Sequence, residues 1–215
     1  MPPNVGTPHV LNVSKHLRMT RKTILNLLFQ VTIYSSSCQS VNNINSVDDS
    51  NQDYLESKYN LHCETHSYGH LPDGWWKWGH TESYTMIKDS TEYVDGKSSI
   101  KLKLNENNKV EFAAAVYRIP SIYTGKYLTV TGYIKTKNIT EGNAYITAFM
   151  RNSDTQVKNK VKSTLVSGTT KWQKYSLTIP YLTNVEWIYI AAELDGNGSA
   201  WFDKFEIKID STIIK

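Results

Sequence analysis

From about residue 60 to residue 210, apolar side chains recur at every second position rather than at every third or fourth. Residues 99–104 set Ile100, Leu102 and Leu104 against Lys101 and Lys103. Residues 127–136 set Leu128, Val130 and Ile134 against Tyr127, Thr129, Thr131 and Tyr133. Residues 144–151 repeat the arrangement, with Ile146, Ala148 and Met150 opposite Tyr145, Thr147, Phe149 and Arg151. Residues 172–179 and 185–194 alternate likewise, and a last run, 200–209, closes the series. A period of two places successive side chains on opposite faces, so each run predicts a half-buried strand. No segment of useful length carries a 3.6-residue period with caps. Roughly seven or more strands without helices between them predict an antiparallel sandwich or barrel.

Turn chemistry agrees. Asp95-Gly96, Thr124-Gly125, Ser167-Gly168 and Asp195-Gly196-Asn197-Gly198 punctuate the runs. Pro120 and Pro180 fall at strand ends, where a missing N–H costs little.

The net charge of +4 changes meaning once it is divided. Residues 1–37 hold four bases (Lys15, Arg18, Arg21, Lys22) and no acid. The 24 bases less those four leave 20 against 20 acids, a neutral body. A basic leader on a neutral body is a targeting pattern, and it argues against nucleic-acid binding, which needs cations clustered on the folded part. Arg21 and Lys22 precede an apolar stretch, residues 24–34, far short of the ~20 residues that span a bilayer. Ser35, Ser36 and Ser37 then lead into Cys38. The arrangement resembles the signal peptide of a bacterial lipoprotein, whose cysteine is acylated and becomes the mature N-terminus. Plain secretion, or a disordered N-terminus with a chance apolar run, would read similarly. Residues 1–18 form an upstream extension, leaving the start at Met1 or Met19 open. Residues 38–58, rich in Asn, Ser and Asp, read as a polar tether, and 59–215 as the folded domain. Cys38 and Cys63 are the only cysteines. With Cys38 acylated, Cys63 is a single buried thiol.

Six short motifs follow in order. Asn60-Leu61-His62-Cys63-Glu64 resembles the N-x-x-F-E opening of galactose-binding-like jelly rolls, with Cys63 for the aromatic. Leu71-Pro72-Asp73-Gly74-Trp75 resembles their P-x-G-W turn, and Asp89 with Asp95-Gly96-Lys97-Ser98-Ser99-Ile100 their D…GkySl element. Thr131-Gly132-Tyr133-Ile134-Lys135-Thr136, Gly168-Thr169-Thr170-Lys171-Trp172 and Gly196-Asn197-Gly198-Ser199-Ala200-Trp201-Phe202-Asp203 are similar to the sGwiKt strand, the GTtdW turn and the terminal strand. The likeness is to carbohydrate-binding modules and to accessory jelly rolls of bacterial surface hydrolases, including erythromycin-esterase-like and tail-specific-peptidase-like chains. It implies an all-β jelly-roll sandwich and a non-catalytic, carbohydrate-binding role in an exported, lipid-anchored protein. The hydrolase domain of those chains is not among these residues. The alternative is a structural or protein-interaction domain of a surface assembly, the remnant of a longer chain.

No GxSxG elbow, HExxH helix, Walker loop or GxGxxG after a strand occurs, which argues against an enzyme. Glu193 and Asp195 could pair as glycosidase acids, but their neighbours match a non-catalytic strand and turn. His62, His66, His70 and His80 have a spacing that could stack imidazoles on a helix, yet Gly69, Pro72 and Gly74 break any helix there. The resemblance places His62 in a strand. It also implies a structural Ca²⁺ held by Glu64 and Asp203, with Asp95, Gly96 and Lys97 supplying carbonyl oxygens. The alternative is a Glu64 that caps backbone N–H groups and an Asp203 paired with a lysine.

The strand faces opposite the aliphatic ones collect Tyr133, Tyr145, Phe149, Arg151, Trp187, Tyr189 and Glu193. Rings that stack on the C–H faces of pyranoses, among groups that bind hydroxyls, suit an oligo- or polysaccharide groove. The competing account is that Tyr and Trp simply favour strands. Trp75, Trp76 and Trp78 add a second cluster; Trp75 is expected to plug the core, as are Trp172 and Trp201. The membrane enters only through the lipid anchor. Mass spectrometry of the mature protein should find an acylated N-terminal Cys38; an unmodified peptide spanning residue 38 excludes lipid attachment.

Overall fold

A computed structural model describes residues 58–152 and 157–210. The leader, Cys38 and the tether up to residue 57 lie outside the described residues. Nine strands carry the fold: β1 (Trp76–Gly79), β2 (Tyr84–Asp89), β3 (Ser99–Leu104), β4 (Phe112–Pro120), β5 (Tyr127–Arg151), β6 (Val157–Lys162), β7 (Val166–Pro180), β8 (Trp187–Gly196) and β9 (Ser199–Asp210). Their pairings are antiparallel, and the path runs β1-β4-β8-β5-β9-β3-β2, with β6 and β7 also on β5. The two runs expected at 127–136 and 144–151 are one strand of 25 residues. Its first half pairs with β7 and β9, its second with β8 and β6. β5 therefore belongs to both layers of a jelly-roll sandwich.

The expected faces are the observed ones. Leu128, Val130 and Ile134 of β5 meet Ala144, Ile146, Ala148 and Met150 of its own second half within the core, with Ile188, Ile190, Ala192 and Leu194 of β8 and Ile100 and Leu102 of β3. All of these side chains are fully buried. Burial of this kind stabilises by about 1.5–3 kcal/mol per large aliphatic side chain. Trp75 plugs the core as anticipated, 5.3 Å from the Tyr117 ring and 5.0 Å from Phe205. Its indole N–H donates to the Asn60 carbonyl at 3.1 Å.

β9 changes parity midway: Ala200 and Phe202 face the core, then Phe205, Ile207 and Ile209. The cause is a bulge. Thr131 and Tyr133 of β5 pair with Glu206 and Asp203, so one extra residue sits in β9, where Lys204 has φ 48°. Residues 60–64 are turn and loop rather than strand, which corrects the placement of His62. Asn60 and Cys63 have positive φ there, and Phe205 N–H reaches the Leu61 carbonyl at 3.1 Å. Cys63 is a buried free thiol whose pKa is raised, first by burial and then by Asp203 and Glu64.

β5 crosses between layers beside the β8–β9 turn, and glycines make the approach possible. Gly142 has φ 78°, and a Cβ there would run into the Asp195 carbonyl. Gly168 has φ 75° with nothing within 4 Å. Gly168→Ala should cost about 1 kcal/mol, the left-handed strain alone. Gly142→Ala should cost at least about 2 kcal/mol more, because backbone must move. Urea denaturation of both variants checks this, and equal losses would refute the steric account.

Candidate functional site

The outward face of the β1–β4–β8–β5–β6 layer gathers most of the expected binding residues. Register sets Trp78, Ala114, Glu193 and Tyr145 in one row across four strands. The next row is Trp76, Val116, Ala191, Thr147 and Lys162. Then come Arg118, Tyr189 and Phe149, and after them Trp187 and Arg151. Ala114, Val116, Phe149, Tyr189 and Ala191 form an apolar cluster separate from the main core, with Trp187 packed against it. Small residues on β4 and β8 keep the middle low, and rings stand around it.

Phe149 and Tyr189 stack in parallel, centroids 4.8 Å apart and planes 5° apart. Trp76 meets Tyr189 edge-on at 6.1 Å, and Trp78 lies 6.0 Å from Phe149. Tyr145 and Phe149, expected as accessible rings, are 2% and 1% exposed, and Tyr189 is 9% exposed. Neighbours on their own face cover them, not the opposite sheet. The reachable rings are Trp76 at 38% and Trp78 at 41%, together with half-buried Trp187. The tryptophans of residues 76–78 thus belong to this same groove rather than to a second cluster. A short edge strand of alternating sequence, Trp-Lys-Trp-Gly, was the signal for it.

Tyr133 does not join them. It sits in the first half of β5, opposite Lys174 of β7 and Asp203 of β9, on the other layer. Trp201 corrects a second expectation: its neighbours are Lys101 and Lys135, 4.9 and 5.7 Å from its ring, and it lies outside the core cluster. Trp172, on β7, is likewise half-buried outside the core.

At the Glu193–Tyr145 end, a cavity of about 450 Å³ is lined by His80, Glu111, Phe112, Tyr145, Lys160, Lys162, Glu193 and Asp195. Charges there neutralise one another. His80 Nδ1 is 2.8 Å from Glu111, Lys160 Nζ is 3.8 Å from Glu193, and Lys162 Nζ donates to the Tyr145 hydroxyl at 2.8 Å. Burial, then the charges of Glu193 and Asp195, push the Tyr145 phenol well above its ordinary range. Thr147 Oγ1 is buried in the middle row with no hydrogen-bond partner among the described residues.

The residues expected to hold calcium do converge on one seam. Glu64 accepts the Lys97 N–H at 2.9 Å and the Ser98 N–H at 3.1 Å. Asp203 accepts the N–H groups of Val94 (2.7 Å), Asp95 (3.0 Å) and Lys204 (2.6 Å). Calcium needs oxygens facing it, whereas the groups facing these carboxylates are amide hydrogens. Among the described residues no three His, Cys, Asp or Glu side chains gather to hold a metal ion. In this arrangement the residues do not fit the cation, and Glu64 and Asp203 both serve as caps for backbone N–H groups. Asp203 is pushed up to about 6, by burial first, against the pull of those N–H groups and with Glu64 adding to the rise. The histidines are dispersed: His62 pairs with Asp95 at 3.2 Å, His80 with Glu111, and His66 and His70 are exposed.

Neither a protein-family profile nor a curated protein sequence matches this chain. Solved structures do. The CBM22-1–CBM22-2 tandem of Paenibacillus barcinonensis Xyn10C aligns at TM-score 0.50 and 14% identity, over 71% of this chain and 46% of that one. The C-terminal family 22 carbohydrate binding module of Clostridium thermocellum Xyn10B gives 0.50 and 10%, over 71% and 100%. The enzymatically active domain of bacteriophage CBA120 tailspike protein 4 gives 0.52 and 11%, over 64% and 19%. At such identities the likeness shows the fold. This chain has a jelly-roll β-sandwich fold, which those carbohydrate-binding modules share.

Asp89 offers a test of the outer-face anchoring of Trp201. Burial raises its pKa, but the Thr91 hydroxyl, the Trp201 indole, the Thr91 N–H and Lys101 outweigh it and hold the carboxyl at about 2. The Trp201 Nε1–H donates at 2.9 Å. A depressed folded pKa gives stability that is present above pH 4 and lost as pH falls through 2. Asp89→Asn should therefore cost about 1–2 kcal/mol at pH 7, and the difference from the parent should close towards pH 2. Thermal melts across that range check it; a pH-independent difference would contradict the assignment.

Proposed function

We propose that this chain is a non-catalytic carbohydrate-binding module whose ligand lies across the Trp76–Trp78 groove. One observation carries the reading: two half-exposed tryptophans stand over a stacked Phe149–Tyr189 pair, on a sheet face that the core does not use. Rings held rigid by their neighbours lose little conformational entropy when a sugar settles on them. They remove its apolar C–H faces from water, and the exposed Asp195 and Lys160 lie alongside to meet hydroxyls. The fold supports the reading, since domains of the same architecture include the family 22 carbohydrate binding module of Xyn10B. On the sequence evidence the module is exported and held at a membrane through Cys38, which would raise its local concentration at a polysaccharide surface.

The test is affinity electrophoresis against xylan, galactan, arabinan and β-glucan, followed by calorimetry on the polysaccharide that retards the protein. Trp78→Ala and Trp76→Ala should each weaken binding about tenfold, equivalent to roughly 1.4 kcal/mol. Trp172→Ala, on the other layer, should leave it unchanged. Retardation by none of a broad polysaccharide panel, or equal loss with Trp172→Ala, would overturn the reading.

A further inference from the structure

The two ends of the groove differ in charge, and the difference specifies the ligand more closely. At the Tyr145 end each cation already has a partner: His80 on Glu111, Lys160 on Glu193, Lys162 on the Tyr145 hydroxyl. At the other end stand Arg118 of β4 and Arg151 of β5, on either side of β8. Neither has a carboxylate partner among the described residues. Arg118 is exposed and Arg151 half-buried. Both guanidinium groups lie near rings: Arg118 is 4.4 Å from the Trp187 centroid, in stacking contact, and Arg151 is 6.0 Å from that of Tyr189, at the outer reach of a cation–ring attraction.

Stacking fixes the plane of a guanidinium and leaves its five N–H donors pointing outward. The strands that carry the arginines are two inter-strand spacings apart, roughly 10 Å. Their register partners are crossed: Arg118 pairs with Tyr189 but stacks on Trp187, while Arg151 pairs with Trp187 but lies near Tyr189. Both side chains therefore lean toward β8, one from each side, and their guanidinium groups flank the Trp187–Tyr189 pair. Arg118 also lines a cavity of about 480 Å³ with Gly74, Trp76 and Tyr117, so room for a substituent lies beside it. Two guanidinium forks with no carboxylate partner among the described residues, next to a ring platform, match a planar carboxylate or another oxyanion borne by a sugar.

We infer that the groove binds an acidic saccharide, a chain carrying uronate groups, with the oxyanion seated between Arg118 and Arg151 and the neutral sugars running over Trp76 and Trp78. The inference rests on the carbohydrate-binding reading and names its ligand class. The ligand is thereby oriented, its charged residue at the arginine end and its hydroxyls at the carboxylate end.

Calorimetry with glucuronoxylan and with the same polymer after carboxyl reduction tests it, with dextran sulfate against dextran as the sulfate-ester arm. The uronate polymer should bind about tenfold more tightly than its reduced form, and the gap should shrink as NaCl rises from about 50 mM to about 500 mM. Arg118→Gln and Arg151→Gln should each remove most of the gap while leaving the reduced polymer's affinity in place. Arg118→Lys, a point charge without a fork, should restore only part of it. Preference for dextran sulfate over dextran without preference for the uronate would keep the arginine pair and assign the oxyanion as a sulfate. Equal binding of charged and neutral members of both pairs, or arginine variants that weaken both members alike, would overturn the inference and leave carbohydrate binding standing. Binding of none of the four polymers would remove the inference together with the reading it rests on if the wider polysaccharide panel also failed.

Discussion

One strand has to satisfy two sheets at once. β5 runs through both layers, so the inward set of its first half, Leu128 to Thr136, has to be matched by that of its second, Ala144 to Met150, across a crossing where the register shifts. A slip of one residue would turn Tyr145, Thr147 and Phe149 into the core and Ile146 and Met150 out to solvent. The crossing between the layers is where that slip would occur, and polar groups hold it alongside the buried Ile139. Asn197, in the β8–β9 turn, accepts the N–H groups of Thr140 and Glu141 at 2.8 and 3.1 Å. Its own N–H donates to the Glu141 carbonyl at 3.0 Å, and its amide nitrogen to the Thr140 hydroxyl at 2.8 Å. Asn138, with φ 57°, and Gly142, with φ 78°, bend the backbone on either side. The turn that ends one layer thus clamps the strand that passes between them, and the register of the groove follows from that clamp.

Alternation was legible wherever a strand has one wet face. The pattern of β3 and of the first half of β5 was visible because lysine, threonine and tyrosine mark the outer positions. It failed where both faces are covered. In β4, Ala113, Ala114, Ala115 and Val116 are all fully buried, two in the core and two under the groove, so no period survives in the sequence. The extra residue in β9 also left no mark, since Lys204 takes a left-handed φ without being glycine or asparagine. The Asn60 and Trp75 motifs, by contrast, were legible as resemblance without their mechanism. Asn60 donates to the carbonyls of Thr65 and Asp73 and accepts the Thr65 N–H, which ties the opening loop to the turn that delivers Trp75 to the core.

The site itself was half legible. Six of the seven proposed binding residues share one face because they alternate against aliphatics on β5 and β8, and that alternation is a property of sequence. Tyr133 alternates equally well, and only the division of β5 between layers separates it from the others. Exposure was harder to read. A ring on an outward face can still be buried by its neighbours, as Phe149 is by Tyr189, Trp78 and Lys160. Strand parity gives the side of the sheet; the height of adjacent side chains decides what a ligand can touch.

The same distinction governs the charged residues. Lys101 and Lys135 lie over Trp201 on the other layer, yet Asp89 and Glu92 hold them at 3.3 and 2.6 Å. A cation–ring contact closed by a carboxylate is a structural cover: its donors are spent, and its ring is hidden beneath aliphatic stems. In the groove the cations over Phe149 and Tyr145 are likewise occupied, by Glu193 and by the phenol oxygen. Arg118 and Arg151 repeat the cation–ring contact with no acid beside them among the described residues. Desolvating an already paired charge gains a ligand little, because the protein has met that group's electrostatic demand. A stacked arginine with open donors presents the reverse situation, in which the ligand supplies the missing anion. Across these three ring–cation sites, the position of the carboxylates separates the surfaces that are sealed from the one that is left to be completed.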